Sequence, residues 1–181
     1  MIFTNIFFTA LAASATFVSG ASIRRQDEDN GSCAQLGRIC AGQVQNSLAN
    51  VLGVESCLFA GVCFERNSTN LDDFLTTLWE TEGHSGTAPK SVSTTRATTA
   101  VFDAISTDGQ TITQQNFIDG YYGSLDATSG TYPTSAAIVI SDFDRVAAWT
   151  GFCPGTNEGI PYQNWADYFQ YSATVGSTTC Q

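Results

Sequence analysis

One short stretch collects the residue types that acid–base chemistry uses. Trp79-Glu80-Thr81-Glu82-Gly83-His84-Ser85 holds two carboxylates and the chain's only histidine at the end of a helix pattern. A general acid must keep its proton near neutral pH, and an apolar neighbour such as Trp79 supplies the desolvation that favours this. Such a carboxyl can protonate the oxygen of a glycosidic bond while a second carboxylate assists. Glu80, Glu82 and His84 are therefore the catalytic candidates, for a small glycan hydrolase. The plainer reading is a solvated helix end, with His84 favoured at the negative pole of the helix. No GxSxG elbow supplies a serine nucleophile. The six cysteines form an even set expected to pair, which leaves no thiolate nucleophile.

Aromatic residues offer a second chemistry. Tyr121, Tyr122, Tyr132 and Tyr162 stand in the C-terminal half with Trp149, Trp165, Tyr168 and Tyr171. Exposed aromatic rings stack on sugars and anchor protein partners. Helical spacing sends Trp165, Tyr168 and Phe169 toward a core. The four tyrosines named first are the binding candidates.

These residues need a scaffold, and its compartment is legible first. Residues 1–20 read as a signal peptide: Ile2 to Val18 are apolar or small, and Ser19, Gly20 and Ala21 suit signal peptidase. Arg24-Arg25 looks like a kexin-type dibasic site of fungal secreted proteins, so residues 21–25 read as a short propeptide. The mature chain then begins at Gln26. It carries five basic residues against seventeen acidic ones, a formal charge of −12. That surface repels nucleic acid and anionic lipid. No second long apolar run is present, so no membrane anchor is expected. Asn67-Ser68-Thr69 is a glycosylation acceptor, which puts Asn67 on the surface. One histidine and no CxxC make a zinc site unexpected.

Cys33, Cys40, Cys57, Cys63, Cys153 and Cys180 imply three disulfides, with fifteen pairings open. Cys33 and Cys40 lie two helical turns apart and face one way. A chain returning antiparallel would nest Cys33–Cys63 around Cys40–Cys57, with Cys153–Cys180 closing the C-terminal part. Local closure, Cys33–Cys40 and Cys57–Cys63, is the alternative.

Residues 26–32 read as a disordered acidic tail and residues 33–181 as one helical domain. A first helix is expected from about Ala34 to Val51, ended by Gly53. Cys57 to Cys63 reads as a short apolar link. A second helix starts after Asn70, carries Leu71, Phe74, Leu75, Leu78 and Trp79 on one face, and stops near Gly83. Residues 85–95 and 123–133 read as loops. Further helices run through Ala97 to Ile105, Phe117 to Tyr121 with Thr113 as cap, Phe143 to Trp149 and Asn164 to Tyr171. Residues 136–140 fit a buried strand or a helix start.

The chain repeats itself at a spacing of 48 residues. Ile112-Thr113-Gln114-Gln115-Asn116-Phe117-Ile118-Asp119-Gly120-Tyr121 aligns with Ile160-Pro161-Tyr162-Gln163-Asn164-Trp165-Ala166-Asp167-Tyr168-Phe169, four positions being identical. Each copy reads helix, turn-rich loop, isoleucine, helix. Residues 97–172 thus resemble a degenerate pair of EF-hands. The resemblance implies that Ile112 and Ile160 meet across a small β-bridge. It also implies a calcium loop, but Asn116 and Asn164 stand where the bidentate glutamate is needed. Calcium is the one ion to consider, and the ligand set falls short. No cofactor and no metal site are expected. The Glu80–Ser85 stretch is also similar to the helix-end glutamate of lysozyme-like transglycosylases, with Thr81 where that family has serine.

The expected fold is mainly α: disulfide-stapled N-terminal helices packed on two EF-hand-like helix-loop-helix units. The expected function is a secreted, non-catalytic interaction protein for a cell-wall glycan or an extracellular protein. The alternative is the small glycan hydrolase.

Overall fold

The structure is a computed structural model that describes residues 25–44, 48–66, 76, 80, 96–127, 131–152 and 159–172. It is mainly helical. The elements are α1 (Arg25–Val44), a 3-10 helix η1 (Leu48–Gly53), α2 (Glu55–Arg66), α3 (Thr99–Ile105), β1 (Thr111–Ile112), α4 (Gln114–Asp126), α5 (Ala136–Thr150), β2 (Ile160–Pro161) and α6 (Tyr162–Tyr171).

Helix α1 buries Cys33, Leu36, Cys40, Ala41 and Val44, which recur at three-, four- and seven-residue steps on one face. It begins at Arg25 and so runs through residues 26–32, the stretch expected as a disordered tail. Apolar spacing marks only the part of a helix that packs. Once that part forms, adding a polar turn costs far less than nucleation did. The helix also ends earlier than expected, at Val44, and η1 carries Val51 and Leu52 into the core.

Cys57 to Cys63 is not a link but the centre of α2. Every residue from Ser56 to Phe64 is buried. A helix surrounded by protein has no polar face and so carries no helical period to read. Helix α2 packs on α1, η1, α4 and α5, which makes it the axis of the domain. Disulfides Cys33–Cys63 and Cys40–Cys57 join it to α1, the nested pairing. Cys153 and Cys180 lie outside the described residues.

The second half is built from two similar pieces, α3–β1–α4 and α5–β2–α6. Strands β1 and β2 pair antiparallel, Ile112 opposite Ile160, both fully buried. Gly159 makes this approach possible, since a Cβ there would sit 2.6 Å from the Thr111 side chain. Thr113 caps α4 through a capping box: its hydroxyl accepts from the Asn116 N–H, while Asn116 Oδ1 accepts from the Thr113 N–H at 3.1 Å. Residues 136–140 are the first turns of α5, capped by Ser135. Phe117 and Trp165, equivalent in the repeat, meet edge to face at 6.0 Å in the core.

Candidate functional site

The tyrosines expected to bind part company. Tyr121 is fully buried and is no surface residue. A disulfide sulfur bears no hydrogen, so the Tyr121 hydroxyl donates to Cys63 Sγ at 3.3 Å and accepts from Ser32 Oγ at 3.4 Å. Burial pushes its phenol up to about 12. Tyr162 is half-buried: its hydroxyl donates to the Ala97 carbonyl at 2.9 Å, and its ring meets Phe102 edge to face. Both hydroxyls are thus engaged within the fold.

Tyr122 and Tyr132 differ. Tyr122 is half-buried on α4, and Tyr132 is 44% exposed in the stretch before α5. Their rings stack at 6.1 Å with 25° between planes. The Tyr132 hydroxyl donates to Asp126, one turn along α4 from Tyr122. That bond raises the pKa of the Tyr132 phenol. Two rings and an exposed carboxylate thus form one small platform.

Among the hydrolase candidates, Glu80 is helical and exposed. Glu82 and His84 lie outside the described residues, as does Asn67.

A carboxylate that sequence reasoning missed is Glu55, the first residue of α2. It is half-buried at an open groove of about 410 Å³ between α1, η1, α3 and α4. Burial raises the pKa of its carboxyl, and the Ser124 hydroxyl partly offsets this. Nothing local marks it: an acidic residue opening a helix is ordinary.

A second missed group is Asp142. It is fully buried and touched by two guanidinium groups, Arg145 Nη2 at 2.6 Å and Arg66 Nη1 at 3.4 Å. Arg66 also donates to Cys33 Sγ at 3.3 Å, and Arg145 to the Val62 carbonyl at 2.9 Å. The cluster joins α5, α2 and a disulfide. Nearby, the Tyr168 hydroxyl donates to Glu65 at 2.5 Å, and burial followed by that carboxylate holds its phenol well above the usual range.

No protein-family model matches the chain, and neither a curated protein nor a solved structure is similar to it.

The loop between α3 and β1 satisfies itself. Asp108 accepts from the Gln110 and Thr111 N–H groups at 2.8 and 2.9 Å and from Ser106 Oγ at 2.9 Å. Those donors hold its carboxyl down at about 2. Gly109 takes φ +66°, the left-handed turn that follows. Asn116 Nδ2 donates to Thr107 Oγ1 at 3.3 Å. Among the described residues no group of three His, Cys, Asp or Glu side chains could hold a metal ion.

Two disulfides suit an oxidising compartment. No described helix is long and apolar enough to cross a membrane.

Proposed function

We propose that the protein is a secreted interaction protein that binds an extracellular glycan through Tyr122, Tyr132 and Asp126. The observation that carries this reading is the exposed Tyr132 ring, backed by the half-buried Tyr122 ring stacked on it and set beside a carboxylate. Aromatic faces take the apolar face of a sugar ring, and a carboxylate accepts from its hydroxyls. A hydrolase using Glu80 would need that carboxylate in a cleft, and it is exposed; Glu82 and His84 lie outside the described residues. The disulfides and the apolar N-terminus support the secretory route.

The test is retention of the chain, recovered from culture medium, on cell-wall polysaccharides. Its N-terminus is expected at Gln26, with glycan on Asn67. Tyr132→Ala is expected to weaken retention about tenfold, the worth of one good aromatic contact. Stability should change by no more than about 0.5 kcal/mol, as for an ordinary surface site. Unchanged retention, or none on any polysaccharide, would sink the reading.

We also infer that residues 97–172 are an EF-hand-like pair that keeps the geometry without the ion. The Ile112–Ile160 bridge and the helix-loop-helix order support this. Asp108 and Asn116 use their oxygens on the loop itself. Millimolar calcium should leave the melting temperature where magnesium leaves it, because a ligand stabilises a fold only as far as it binds. A rise of several degrees with calcium alone would overturn this.

A further inference from the structure

We propose that the groove at Glu55 takes a lysine side chain presented by a partner protein, with the ammonium on the Glu55 carboxylate and the alkyl stem along Ile39, Val54 and Val101. The site is separate from the tyrosine platform. Ser124 and Ala127 line the groove, whereas Tyr122 and Asp126 lie on another face of α4.

The groove's chemistry is specific. Its volume of about 410 Å³ falls in the range of ligand sites. Ile39, Val54, Ala100, Val101 and Ala104 make its walls aliphatic. Glu55 is the only charged residue in the lining. Among the described residues no Lys or Arg pairs with it, and the Ser124 hydroxyl is its hydrogen-bond donor.

A half-buried carboxylate without a counter-ion is costly to keep charged. Its position at the positive end of α2 explains an acidic residue there, but that role is equally served by an exposed side chain. An arriving ammonium relieves the cost of burial.

The walls choose among cations. Guanidinium groups and quaternary ammonium ions favour flat aromatic faces, and this lining has none. A lysine stem is flexible and aliphatic, and it buries along such walls while its head meets the charge. The space is larger than an aminobutyl group, which leaves room for the partner's backbone beside it. The mature chain's formal charge of −12 steers a basic surface toward it.

The test is an NMR titration of the isotope-labelled secreted chain with capped lysine (Nα-acetyl-lysine N-methylamide). The uncharged norleucine analogue and n-butylamine serve as controls. Binding is expected at about millimolar Kd, the scale of one charge-assisted contact with a short apolar stem. Amide shifts should centre on Val54, Ser56, Ala104 and Ser124. Glu55→Gln is isosteric and should weaken binding at least tenfold. Ala104→Phe, at an exposed position, should fill the groove and abolish binding with Glu55 intact.

Equal binding of norleucine, or wild-type affinity in E55Q, would overturn the proposal. n-Butylamine carries the same ammonium and stem, so it should bind within a few-fold of capped lysine; binding of capped lysine without any of n-butylamine would place the contact on the capped backbone, which also overturns the proposal. Lys90 is the chain's single lysine and lies outside the described residues; binding seen only after Lys90→Ala would assign the groove to it and overturn the proposal as well. A failure of polysaccharide retention would leave this site untouched.

Discussion

Replacing Trp165 with alanine is expected to lower the unfolding free energy by about 3–5 kcal/mol, the range for removing a large buried aromatic. Trp165 is fully buried. Its ring meets Phe117 at 6.0 Å and Phe169 at 5.1 Å, both edge to face. Phe117 in turn touches Phe59 of α2 at 5.1 Å and Phe143 of α5 at 5.7 Å. The hole would therefore open where α2, α4, α5 and α6 meet, among rings that cannot collapse into it. Trp165→Phe should cost less than half as much. Among the described residues the indole N–H has no acceptor, so phenylalanine also removes a buried, unpaired donor. Urea unfolding followed by circular dichroism measures both. A loss below about 1 kcal/mol for the alanine variant would show that α6 is not packed as described.

The particulars of Trp165 were open to sequence reasoning because the chain states them twice. The 48-residue repeat pairs Phe117 with Trp165 and Ile112 with Ile160, and both pairs meet in the fold. The nested disulfides were legible for a similar reason: Cys33 and Cys40 share a face, and an antiparallel return meets them in reverse order. What stayed hidden lacks any period. Helix α2 is apolar throughout because it is surrounded, so its sequence resembles a linker. Tyr121 and Tyr122 are neighbours with opposite environments, because successive helical residues point about 100° apart. Aromatic content alone cannot tell the phenol beside a disulfide from the ring on the surface.

Glu55 and Asp142 show a different obstacle. Each matters through groups far along the chain: Ser124 for Glu55, and Arg66, 76 residues away, for Asp142. A carboxylate carries no mark of what will surround it. Asp108 is driven down by donors of its own turn, whereas only packing drives Asp142 up. The tyrosine platform was half visible. Tyr122 and Tyr132 were named from residue type, but their stacking depends on how the chain returns from α4 into α5.

Asp142→Ala should destabilise the fold by about 3–5 kcal/mol, the cost of breaking a buried ion pair from one side. The carboxylate is fully buried between Arg145 and Arg66, whose side chains are 31% and 19% exposed. Removing it leaves two cations facing each other in a poorly hydrated place. The pH dependence is the sharper test. Burial raises the Asp142 carboxyl from 3.8 to about 6, outweighing the two guanidinium groups that pull it down. The folded state therefore binds this proton more tightly than the unfolded chain does. Its contribution to stability is complete below pH 3.8 and is lost as pH rises through about 6, the reverse of an ordinary paired aspartate. The whole swing is on the order of 3 kcal/mol. Asp142→Asn keeps an oxygen for Arg145 and cannot titrate, so it serves as the reference. The stability of the wild type relative to Asp142→Asn should fall steadily between pH 4 and pH 7 in urea unfolding. A difference that stays constant over that range would mean that burial does not raise the carboxyl. A difference that grows between pH 2 and pH 4 and is flat above would mean that attraction to Arg66 and Arg145 exceeds the cost of burial, and that the cluster is a net stabilising ion pair at neutral pH.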